Sequence, residues 1–240
     1  MIPAWLNSKT DRRNAVSHAR AQAVAAPSQL FVGRQPILAA DQRIYAYELL
    51  FRDAADASAA RITDNLTATS RLLINTFNNL GIERVLADKK AFINVSAELI
   101  ESDVLELLPC ERVVLEVLEH VQPSTELIDR CEDLVAKGYA LALDDFVYRP
   151  EFDRLLDLAT YVKIDVRALG MEQAARQLDR LRTRKLKVIA EKVETLAEFN
   201  ACHDLGMRYF QGYYFARPEV LSMRRATPRP SAYSRCSTWS

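Results

Sequence analysis

Residues 31–51 read FVGRQPILAADQRIYAYELLF, two β-rich runs at 31–38 and 44–51 separated only by AADQR. A linker that short can turn a hairpin, whereas a parallel crossover needs about a dozen residues or more. The chain therefore opens on an antiparallel pair. Downstream, KAFINVS (90–96), RVVLEVLE (112–119), YALALDDF (139–146), YVKIDV (161–166), LKVIAEKV (186–193) and MRYFQGYYF (207–215) continue the β-rich runs. Helical periodicity fills the gaps at 65–80, 125–137, 171–184 and 196–205, with Gly138 and Gly206 placed as C-terminal stops. Eight strands with helical crossovers predict an α/β fold, a TIM-like (β/α)8 barrel whose first strand runs antiparallel.

The 240 residues suffice for one such domain, and with 49% hydrophobic residues and six glycines the composition is globular. Thirty-two basic residues balance thirty-two acidic ones, so no net field draws the chain to a nucleic acid polymer or an anionic membrane. The head lacks an apolar signal core and no run of about 18 apolar residues occurs, which points to the cytoplasm and away from a membrane. Cys110, Cys131, Cys202 and Cys236 form no CxxC pair, as expected of reduced thiols used for packing. Residues 1–29 and the Ser-, Pro- and Arg-rich stretch 224–240 fall outside the strand–helix alternation and are expected to be flexible extensions of a domain at 30–223.

Nearly every strand carries a polar residue near its C-terminal end: Glu48, Asn94, Glu116, Asp144 with Asp145, Lys163, Glu191 and Gln211. That end of a barrel is where chemistry is built. Taken singly, each is ordinary strand-end polarity; taken together, they bring several acids to one mouth, where they would repel and raise one another's pKa. A divalent cation resolves that conflict. Oxygen donors without His or Cys favour Mg2+ or Mn2+, or Ca2+, over Zn2+. Lys163 beside such an ion suits attack of water on a phosphate ester. The same inventory fits proton abstraction next to a carboxylate with Mg2+ stabilising the enolate. Such enzymes usually carry a capping domain, for which the head is too short.

The ordered motifs RQPIL, YELLFR, FINVS, LEVLE, LDDF, VKID, AEKVET and QGYYFARP resemble the EAL domain family over about residues 31–221. That resemblance implies hydrolysis of the bacterial second messenger cyclic di-GMP to linear pGpG with Mg2+ or Mn2+. It implies Glu48, Asn94, Glu116, Asp144 and Asp145 as metal ligands, with Asp145 available to a second ion. Lys163, Glu191 and Gln211 are implied to position the catalytic water and complete the site. Gln35 and Arg52 are implied as contacts to a guanine and a phosphate, and Glu119 as the anchor of the loop after Asp145.

Three departures from the family pattern stand out. The name motif is Glu-Leu-Leu, the glycine- and serine-rich continuation after Asp145 is replaced by VYRPEFDRL, and Lys192 stands where a glycine is usual. A bulky cation there is expected to pair with an acid or alter access. The spellings resemble the branch in which an HDOD domain follows, although SMRRATPRPSAYSRCSTWS does not read as its start. The intact ligand set implies a phosphodiesterase. The rewritten loop implies the alternative, a weak or inactive module that binds cyclic di-GMP or a protein partner through Arg149, Glu151 and Asp153; a homodimer is left open.

Overall fold

The computed structural model describes residues 29–51 and 82–224 and, between them, Leu73 and Phe77. Apart from Leu73 and Phe77, the helix expected at 65–80 lies outside the described residues, as do Arg52, Cys236 and nearly all of both expected extensions. Strands β1 (Gln29–Ala39) and β2 (Ile44–Phe51) form the antiparallel pair. The turn between them closes through the Gln42 amide donating to the Ala39 carbonyl at 2.8 Å, with Gln42 in the left-handed region at φ 62°. Then follow helix α1 (Ile82–Leu86), β3 (Lys90–Val95), α2 (Ala97–Glu101), β4 (Val113–Val117), α3 (Thr125–Ala136) and β5 (Ala140–Leu143). The second half comprises α4 (Asp153–Leu158), β6 (Tyr161–Asp165), α5 (Val166–Leu181), β7 (Lys187–Glu191), α6 (Leu196–Asp204) and β8 (Tyr209–Phe210).

Strands β2 to β8 are parallel neighbours in chain order, and β1 pairs antiparallel with both β2 and β8, closing the barrel. The expected barrel with its reversed first strand is thus present. A ninth strand, β9 (Glu219–Arg224), pairs antiparallel with β1 from Gln29 to Arg34 and was not read from the sequence. Helix α5 starts earlier than the expected 171, because the Asp165 carboxylate caps it by accepting from the Arg167 and Ala168 amides at 2.9 and 2.8 Å. Gly170, at φ 75° and ψ 159°, then breaks it into two segments. Among the described residues no helix is long and apolar enough to cross a membrane.

Successive strand residues face opposite sides of a sheet, so each barrel strand divides its residues between two cores. Outward residues such as Leu49, Ile93, Leu115, Leu141, Val162 and Ile164 pack against the helices through Leu99, Leu127, Leu155 and Leu181. Inward residues Ile37, Ala46, Phe92, Val114, Ala142, Tyr161 and Ile189 fill the barrel interior. Cys131 and Cys202 are buried in the outer layer, and burial pushes both thiols up to about 11, which suits their use as packing.

Candidate active site

The inward set fixes the location of the polar residues. Two residues beyond each floor side chain the strand faces inward again. Ala46 is followed by Glu48, Phe92 by Asn94, Val114 by Glu116, Ala142 by Asp144, Tyr161 by Lys163 and Ile189 by Glu191. Gln211 follows Tyr209 in the same way, and its amide extends the ladder by donating to the Ala190 carbonyl at 2.8 Å. Seven side chains therefore converge at the C-terminal mouth above an apolar floor.

At their centre the buried Lys163 ammonium lies 2.7 Å from Glu191, 3.3 Å from Asp144 and 3.4 Å from Glu48, and is ion-paired with Glu116. Glu48 also accepts from Gln211 Nε2 at 2.6 Å and from Asn94 Nδ2 at 3.2 Å. One ammonium faces four acids. Burial, reinforced by the neighbouring carboxylates and only partly offset by Lys163, holds the Glu116 carboxyl well above the usual range and lifts Glu191 to about 8. Burial acts on Asp144 in the same sense, but Lys163 and hydrogen bonds to its neighbours bring its carboxyl below the usual value. Burial would discharge Lys163 as well; Glu116, Glu191, Glu48 and Asp144 outweigh it and keep the ammonium charged.

The donor set fits a hard divalent cation. Ligand oxygens of Glu116, Asp144 and Glu191 lie within 4.8 Å of one another. Asn94 Oδ1, Gln211 Oε1 and Glu191 Oε2 are buried without a hydrogen-bond partner among the described residues, and neither Glu116 oxygen receives a hydrogen bond beside its ion pair. Buried orphan acceptors are costly, about 1–3 kcal/mol each, and oxygen ligation of a cation would satisfy them. Above the cluster opens a cleft of about 740 Å3 lined by Gln35, Asp145, Asp165, Arg167, Lys192 and Tyr213 besides the acids.

Asp144 and Asp145 part company at the end of β5. Asp144 points inward, whereas Asp145, at φ 40°, turns toward Lys192, whose ammonium lies 3.3 Å from both of its oxygens. The expectation that Lys192 pairs with an acid thus holds. Asp165, which also engages Lys192, was not singled out in the sequence, although an acid directly before a helical pattern is a capping signal. Gln35 reaches the cleft wall, with Nε2 donating to the Ala216 carbonyl at 3.5 Å; Arg52 lies outside the described residues.

The loop after Asp145 packs back against α5 and the outer core. Glu119 shares with it a small cavity of about 190 Å3 and lies 3.9 Å from the His120 ring. Gln177 on α5 accepts from the Tyr148 amide at 2.9 Å, and the buried Phe146 and Phe152 pack edge to face beside it. Arg149 lies over the Phe152 ring and 3.5 Å from Glu151, and Asp153 pairs with Arg184 at 2.8 Å. The loop charges are therefore engaged within the chain.

The EAL domain family pattern matches residues 18–218. The chain is 38% identical over 200 residues to "Cyclic di-GMP phosphodiesterase CdgJ" of Vibrio cholerae, covering 82% of this chain and 46% of that protein. It thus spans less than half the length of that relative. The "EAL Enzyme Bd1971" in its cAMP- and cyclic di-GMP-bound form superposes with a TM-score of 0.65 at 20% identity, over 78% of this chain and 62% of that one. Klebsiella pneumoniae BlrP1, in a manganese and cyclic di-GMP complex, gives 0.64 at 21%, over 85% and 61%. Both share the barrel fold.

Proposed function

Since the chain belongs to the EAL domain family, we propose that its 30–223 unit hydrolyses cyclic di-GMP to linear pGpG, using Mg2+ or Mn2+ held at the barrel mouth. The observation that carries this reading is the convergence of four acids and two amides around a single buried lysine. Glu48, Asn94, Glu116 and Asp144 would hold the cation, which when bound lowers the pKa of water and balances phosphate charge. Lys163 stays protonated and directs positive charge at the reaction centre. Glu191, whose carboxylate lies 2.7 Å from the Lys163 ammonium, is placed to accept a hydrogen bond from a water beside the cation. Gln211 fixes Glu48, and Gln35 lines the wall where a base would lie.

The substrate's role as an intracellular messenger supports the cytoplasm as the site of action. The loop at 147–153 favours slow turnover over rapid turnover, because Pro150 and the buried Phe152, packed on Phe146, leave little freedom to close on a ligand. A protein partner or a second copy could still dock beside Arg149 and Glu151, both of which remain half-exposed. Incubation of purified protein with cyclic di-GMP and Mn2+ or Mg2+, followed by chromatography, tests the reading. Linear pGpG should accumulate slowly and not at all in EDTA. Tight binding of cyclic di-GMP without product would make the protein a sensor instead.

A further inference from the structure

The acids of the cleft fall into two groups with different charge balance. The inner group, Glu48, Glu116, Asp144 and Glu191, shares one ammonium and retains buried orphan oxygens. The outer group, Asp145 and Asp165, is already satisfied. One Asp165 oxygen caps α5, and the other lies 2.5 Å from the Lys192 ammonium, which also spans both oxygens of Asp145. Hydrolytic sites with two ions hold them about 3.5–4 Å apart, bridged and flanked by carboxylates. Asp144 and Asp145, adjacent in sequence and both lining the cleft, are the residues that could flank such a pair.

We propose that Lys192 is a built-in cation that takes the place of a second metal ion, so that the site binds one divalent ion and not two. This rests on the reading of the inner cluster as a metal centre. Its physical basis is the aim of the side chain. Lys192 sits at φ 57°, a left-handed backbone that L side chains rarely adopt. The corner is held in that state by the Val193 amide donating to the Gln211 carbonyl at 3.0 Å and by the Tyr214 amide donating to Val193 at 3.0 Å. Gly212 packs directly on Val193, where a Cβ would come within 2.1 Å of the carbonyl oxygen. Asp145, the acid it meets, is itself left-handed at φ 40°. Two strained residues thus face each other across one ion pair at the edge of the reaction cleft. An ammonium there supplies fixed charge for a phosphate oxygen without needing ligands of its own, and it repels a divalent ion from Asp145.

Calorimetry and native mass spectrometry of the full chain with Mn2+ test this. Wild type should take up one ion, Lys192→Gly two, and Lys192→Arg one, since arginine restores the charge. Glycine relaxes the left-handed backbone and should leave the fold intact; Lys192→Asn, which also tolerates that backbone, repeats the test. The second ion in the neutral variants should give the exchange-coupled electron paramagnetic resonance signal of a manganese pair, absent from wild type. Two ions in wild type, or one in both neutral variants, would overturn the proposal while leaving the inner metal centre standing. No binding by wild type would overturn both.

Discussion

Lys163 shows how much of the site's behaviour resides in one residue. It is buried among Glu48, Glu116, Asp144 and Glu191, and its removal leaves these largely buried acids without their one cation. Lys163→Met should lower the metal-free stability by about 3–5 kcal/mol in urea unfolding, the usual cost of breaking a buried pair. In turnover it should depress kcat far more than it raises KM, because its charge matters most as charge develops on phosphate. A defect confined to KM would contradict that role. Glu116 and Glu191 set the pH response. Burial keeps their carboxyls above the range of the unfolded chain, about 4.3. Above that pH the unfolded chain holds fewer protons than the native one, so stability falls as pH rises, until Glu191 ionises near 8. Asp144, shifted downward, acts only below about 3.9, and Lys163, shifted upward, only above about 10.4. In EDTA the urea midpoint should therefore drop from about pH 5 to about pH 8, and Mn2+ should flatten the slope. A flat profile in EDTA would show that these carboxyls are not held protonated.

At the scale of elements, strand alternation explains why the site was legible. A strand that buries Phe92 inside the barrel must present Asn94 to the same interior, and the same holds for Val114 with Glu116 and Ile189 with Glu191. What could not be read locally depends on distant partners. Strand β9 exists because Glu219 to Arg224 meets Gln29 to Arg34 across the whole length of the barrel chain, and nothing in EVLSMR announces that partner. The hydrogen bond from Tyr148 to Gln177 likewise joins residues from separate elements and has no local signal. Strand β8 is shorter than the run 207–215 because the chain leaves the ladder at Gly212, at φ 153°, to pack on Val193. Gly212→Ala should cost at least about 1–3 kcal/mol in stability and disturb the Gln211 bond to Glu48. A melting point unchanged from wild type would show that the close approach is not required. Gln177→Ala should leave the Tyr148 amide without its acceptor, costing about 1 kcal/mol and raising its hydrogen exchange.

For the whole molecule, closure of the sheet gives the site its depth. Because β1 reverses direction and joins β2 to β8, the acids from β2, β4, β5 and β7 share one enclosed mouth instead of lying along an open edge. Enclosure raises the cost of every uncompensated charge and so raises the gain from a cation that compensates several at once. The central claim is that this balance, and not a structural ion pair, is why the acids are there. Calorimetric titration of Mn2+ into wild type and Asp144→Asn tests it most directly. Loss of one inner carboxylate should weaken the binding at least tenfold, about 1.4 kcal/mol, with the fold unchanged by circular dichroism. Equal affinity in the two proteins would contradict the account.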